Sequence, residues 1–74
     1  MTDHRVQISK WDFKVLEATK EIPETEFARN HPAFGPGMGW LNNVDVREYL
    51  GSGSFETRSA LERLAASGLL LTRL

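Results

Sequence analysis

The chain has 74 residues, no cysteine, 41% hydrophobic residues and a formal net charge of −1. That describes one small globular domain, residues 1–74, too apolar to be disordered and without disulfides, thiolate zinc sites or cysteine nucleophiles. It also excludes a nucleic-acid partner held by bulk basicity, so phosphate contacts need a local arrangement of a few Arg and Lys, or a dimer that doubles them.

The opening stretch MTDHRVQISKW lacks the apolar segment of a secretory signal. No apolar run approaches the ~20 residues that span a bilayer, and a cytoplasmic protein with no membrane partner is expected. In HRVQIS, Val6 and Ile8 alternate with polar residues, which predicts a short strand. ISKWDFKVLEATKEIP then predicts a helix. Ser9 suits its N-cap and Asp12 completes a capping box of the S-x-x-D kind. Ile8 and Phe13 occupy the positions of a hydrophobic staple, and Pro23 ends the helix near Glu21 or Ile22. Trp11, Val15, Ala18 and Ile22 line one face, with Phe13 and Leu16 nearly opposite. A helix apolar on two sides is either sandwiched in the fold or shares one side with a partner.

EIPETEFARNHP predicts one or two helical turns, stopped by Pro32. HPAFGPGMGWLNN, with two prolines and three glycines, is predicted to be a loop with Phe34, Met38, Trp40 and Leu41 tacked onto the core. NNVDVREYLG predicts a short helix capped by Asn42 or Asn43, apolar along Val46, Tyr49 and Leu50, and ended by Gly51. GSGS is a tight turn. Ser54 or Ser52 is the expected cap of the next helix, which runs to about Ser67, and Gly68 sits where a left-handed residue belongs. Leu69 is expected against Leu64. LLLTRL predicts a strand that pairs with HRVQIS and so joins the two ends of the chain.

No catalytic constellation is present. GPGMG lacks the Lys-Ser/Thr of a phosphate-binding loop. His4 and His31 have no second ligand at metal spacing, Glu24 and Glu26 point apart on a short helix, and no Ser/His/Asp set has a local signature. The expectation is no enzyme, no cofactor and no metal. Trp11, Trp40 and Tyr49 are expected to pack in the core rather than stack on bases.

Helix, glycine-containing turn and second helix form a helix-turn-helix unit, here VDVREYLG followed by SFETRSALERLAASG. At ~100° per residue, Thr57, Ala60, Leu61, Leu64 and Gly68 fall on the packed side. Phe55, Ser59, Glu62 and Ala66 face outward, flanked by Arg58, Arg63 and Glu56. Phe55 is expected to fold back over the turn, although an exposed aromatic there would suggest a protein contact.

TRSALERLAASGLLLTRL resembles the end of the recognition helix and the first wing strand of winged helix-turn-helix transcription regulators of the MarR and GntR kinds. Their R-x-A-L-x-x-L-x-x-x-G-L run is matched by Arg58, Ala60, Leu61, Leu64, Gly68 and Leu69. The resemblance covers roughly the last thirty residues best, and DFKVLEAT fits the opening helix of such domains loosely. It implies a mainly α fold (α+β), a winged helix-turn-helix-like three-helix core with a minimal two-stranded ribbon. It also implies a homodimer that binds double-stranded DNA in transcription regulation, with the helix at about 55–67 in the major groove. The residues carried over by position are Glu56, Arg58 and Ser59 for base edges. Ser54, Arg63 and Arg47 join the DNA-binding set, and Lys10 and Lys14 add phosphate contacts if they share that face. Two features depart from the family: Glu62 on the outward face, and a chain that ends at Leu74 where a wing hairpin is expected. The alternative is a protein-interaction module on the same scaffold, using the Phe55/Glu62 face or the second apolar side of the first helix.

Overall fold

The computed structural model describes residues 8–29, 31, 33–35 and 39–73. The element order is α1 (Lys10–Glu21), α2 (Glu26–Arg29), β1 (Ala33–Gly35), α3 (Asn43–Leu50), α4 (Ser54–Ala66) and β2 (Leu71–Arg73). Three helices of two turns or more, α1, α3 and α4, pack on one another, and β1 and β2 form a two-stranded antiparallel ribbon. This is the mainly helical, winged-helix-like core with a minimal ribbon that the sequence implies.

Ser9 starts α1, its hydroxyl accepting the Asp12 amide at 3.0 Å. The helix ends where Ile22 turns extended, because Pro23 disfavours a helical residue before it. α3 starts at a reciprocal cap. Asn42 Oδ1 accepts the Val44 amide at 3.0 Å, and Asp45 Oδ2 accepts the Asn42 amide at 2.9 Å. The other Asp45 oxygen accepts the Thr25 hydroxyl, which ties the approach to α2 onto α3. Gly51 ends α3 in the left-handed region at φ 66.

α4 starts without a side-chain cap. Its N-cap is Gly53, and Ser54 is already helical, so neither serine plays the capping role expected of it. Ser52 instead locks the turn from outside. The Thr57 hydroxyl is buried and donates to the Gly53 carbonyl at 2.8 Å, which spends its one proton. Ser52 Oγ, 2.7 Å away, must then donate to Thr57. A threonine inside the helix thus satisfies the turn between α3 and α4. At the far end Gly68 is left-handed at φ 84. The Gly68 amide donates to Ala65 O and the Leu69 amide to Leu64 O, the paired bonds of a Schellman ending. Gly68 is exposed, and a Cβ there would meet nothing within 4 Å among the described residues, so its role is conformational.

The core is Val15, Leu16, Ala18, Ile22, Leu41, Val46, Ala60, Leu61, Leu64 and Leu70. α4 therefore buries the side that the helical projection assigns, Thr57, Ala60, Leu61 and Leu64. Leu70, rather than Leu69, enters the core beside Leu64; Leu69 stays exposed. Leu16 is buried, but Phe13 on the same side of α1 is 53% exposed, while Ile8 packs on the core. The second apolar side of α1 is thus only partly covered.

The ribbon departs from expectation. β2 pairs with β1, Ala33 opposite Arg73, Phe34 opposite Thr72 and Gly35 opposite Leu71. β1 lies inside the stretch predicted to be a loop. Prolines and glycines on either side hid a three-residue strand whose small residues, Ala33 and Gly35, are buried. On its other edge Phe34 exchanges backbone hydrogen bonds with Leu41, at 2.7 and 2.9 Å, and Leu41 is carried into the core. Of the strand expected at HRVQIS, Ile8 and Ser9 are not in a strand, and residues 4–7, like the Met38 packing, lie outside the described residues.

Candidate nucleic-acid interface

Two contacts far apart in sequence set how α4 stands on α1. Asp12 accepts a bidentate pair from Arg63, Nε to Oδ2 at 2.8 Å and Nη2 to Oδ1 at 2.7 Å. Two turns nearer the start of α4, Trp11 Nε1 donates to the Glu56 carbonyl at 3.1 Å. The Arg63 hydrogen bond holds the Asp12 carboxyl below the usual carboxylate range; burial opposes this and the Arg63 charge reinforces it. The carboxylate is buried while the Arg63 side chain is 57% exposed, so the pair sits at the rim of the helix contact.

The outward face of α4 is the one expected. Phe55, Glu56, Arg58, Glu62 and Ala66 are exposed and Ser59 is half-buried. Arg58 has no hydrogen-bond or ion-pair partner among the described residues. Ser54 is exposed at the first helical position. Glu56 is folded back toward the turn: a Cβ at Gly53 would lie 2.5 Å from its Oε1. Arg47 is half-buried on α3, its Nε buried without a hydrogen-bond partner among the described residues. Lys10 and Lys14 are exposed on α1, and Lys14 is one turn from Trp11 on the same side of the helix.

Phe55 does not fold back over the turn. It is 83% exposed, the most exposed large hydrophobic side chain among the described residues. A groove of about 290 Å³ runs between it and α1, lined by Trp11, Phe55, Glu56, Ser59 and Arg63. Tyr49 is likewise no core residue. It is 53% exposed and its hydroxyl donates to Glu21 at 2.9 Å, a bond that raises its pKa.

The site residues therefore separate into two groups. Ser54, Glu56, Arg58, Ser59 and Arg63 share the exposed side of α4, whereas Arg47 belongs to α3. Arg63 differs from Arg58 in having two of its donors committed to Asp12. Trp11 and Asp12, the residues that orient this face, were not among the sequence-derived candidates. Their only local signals, a tryptophan on the core stripe and an aspartate in a capping box, point elsewhere. Arg58 and Arg63 against Glu56 and Glu62 leave the face without net charge. Among the described residues no cluster of three or more metal-ligating side chains occurs, and no helix is long and apolar enough to cross a membrane. No protein-family model, curated protein or solved structure matches the chain.

Proposed function

We propose that the chain is a DNA-binding protein, a transcription regulator of double-stranded DNA that inserts α4 in the major groove and acts as a homodimer. The observation that carries this reading is the helix-turn-helix unit with an exposed arginine on its second helix. α3 and α4 are joined by a turn locked through Ser52 and Thr57, and Arg58 stands exposed in the second turn of α4 with no side-chain partner among the described residues. An exposed guanidinium suits a guanine edge or a phosphate. Ser54 and Lys14 serve as phosphate contacts, and Arg63 keeps its remaining N–H groups for the same use. Two copies would place their α4 helices on half-sites about one DNA turn apart.

The test is titration of labelled mixed-sequence duplex at low salt, repeated as salt rises. Binding that weakens steeply with log salt is expected. Arg58→Ala is expected to cost about 1–3 kcal/mol of binding to a preferred duplex. Absence of binding at low salt overturns the reading. The second reading, a protein-interaction module, is favoured by the 83% exposure of Phe55 on a face without net charge. It becomes the first if no duplex binds.

A further inference from the structure

Phe55 is the residue on this face that the fold does not use. It is 83% exposed, lies outside the core cluster and has no ring contact among the described residues. Arg58, three residues on, has no side-chain partner among the described residues either. Residues three apart on a helix are surface neighbours, with Cβ atoms ≈ 5–6 Å apart, close enough for side chains to reach adjacent bases stacked ≈ 3.4 Å apart along a strand. The chemistry of the two side chains is complementary. A phenyl ring makes no hydrogen bond and distinguishes pyrimidines in the major groove only through the apolar 5-methyl group. A guanidinium bonds guanine O6 and N7 in bidentate fashion. Glu56, the neighbour that could accept from the cytosine amino group, has its carboxylate turned back toward Gly53.

We propose that Phe55 and Arg58 together read a 5-methylpyrimidine followed by guanine, Phe55 covering the methyl group and Arg58 bonding the guanine. The inference rests on the DNA reading above and names the feature that site selects. Two sources supply the same chemistry: thymine in a TpG step, and 5-methylcytosine in a methylated CpG step.

The experiment selects preferred duplexes from a randomised library at low salt. The enriched duplex is then remade in four forms differing at one pyrimidine: thymine, uracil, cytosine and 5-methylcytosine. Binding of each is measured for the full chain and for Phe55→Ala. Removing one buried methyl group is expected to weaken binding about fourfold, thymine against uracil and 5-methylcytosine against cytosine. Phe55→Ala, at an exposed position, is expected to fold as the parent does and to bind each methylated form and its unmethylated partner equally. A preference confined to thymine or to 5-methylcytosine identifies the source and still supports the proposal. Equal binding of all four forms by the parent, or a methyl preference that survives Phe55→Ala, overturns it and leaves the DNA reading standing. No binding of any duplex overturns both.

Discussion

Asp12 shows how a single residue carries two assignments. By position it belongs to the cap of α1, and Ser9 does accept its amide. Its carboxylate, however, goes to Arg63 across the helix contact. An acid whose pKa is lowered on folding binds fewer protons folded than unfolded, so stability rises with pH through that interval. The contribution is complete above the ordinary aspartate range and is lost as pH falls below about 4 and through the depressed value. Asp12→Asn is therefore expected to lower the melting temperature at neutral pH and to flatten its fall in acid relative to the parent, as thermal unfolding followed by circular dichroism at a series of pH values would show. Equal acid slopes in the two proteins would remove the pair from the account. The same pair bears on function: substituting Arg63 disturbs how α4 stands on α1 as well as any outside contact, whereas Arg58 can be altered without breaking a bond among the described residues.

At the scale of the element, α4 is bounded by glycines that do different things. Gly53 is its N-cap in extended backbone, φ −77. Gly68 is left-handed, and a Cβ there would meet nothing within 4 Å. Steric room is therefore not the issue at Gly68; the backbone conformation is. Placing an L residue in that region costs about 1–2 kcal/mol, and Gly68→Ala is expected to lose that much in a denaturant melt with an unchanged slope. The effect reaches beyond the helix end, because Gly68 aims Leu70 into the core and β2 toward β1. At the other end of α4, Ser52 and Thr57 close the turn that sets the two helices of the helix-turn-helix unit against each other.

The whole molecule is small enough that each core side chain matters. For a chain of this length total stability is about 4–11 kcal/mol. Leu61 is wholly buried where α4 meets the rest of the core. Truncating a buried leucine costs about 2–5 kcal/mol, and Leu61→Ala is expected to lower the melting temperature by about 8–40 °C. A cooperative melt within a few degrees of the parent would show that the core is not shared as described. Phe13, Tyr49, Phe55, Leu69 and Leu71 are exposed among the described residues and lie outside this core.

The sequence by itself determined the three longer helices and the buried side of α4. Caps, proline stops and the 3.6-residue period are local, so Ser9, Asn42, Gly51 and Gly68 mark the boundaries and Val15, Val46, Leu61 and Leu64 mark the core without any long-range information. The outward residues of α4, Arg58 among them, follow from the same projection. Only the tertiary structure decided the pairings between distant residues. β2 found Ala33–Gly35, because a three-residue strand of small side chains carries no periodicity to read. Arg63 found Asp12 across 51 residues and Trp11 found Glu56 across 45, contacts set by how α1 crosses α4. Phe55 was left in solvent for the same reason: its exposure depends on what the packed helices bring near it, and nothing in its own stretch of chain records that.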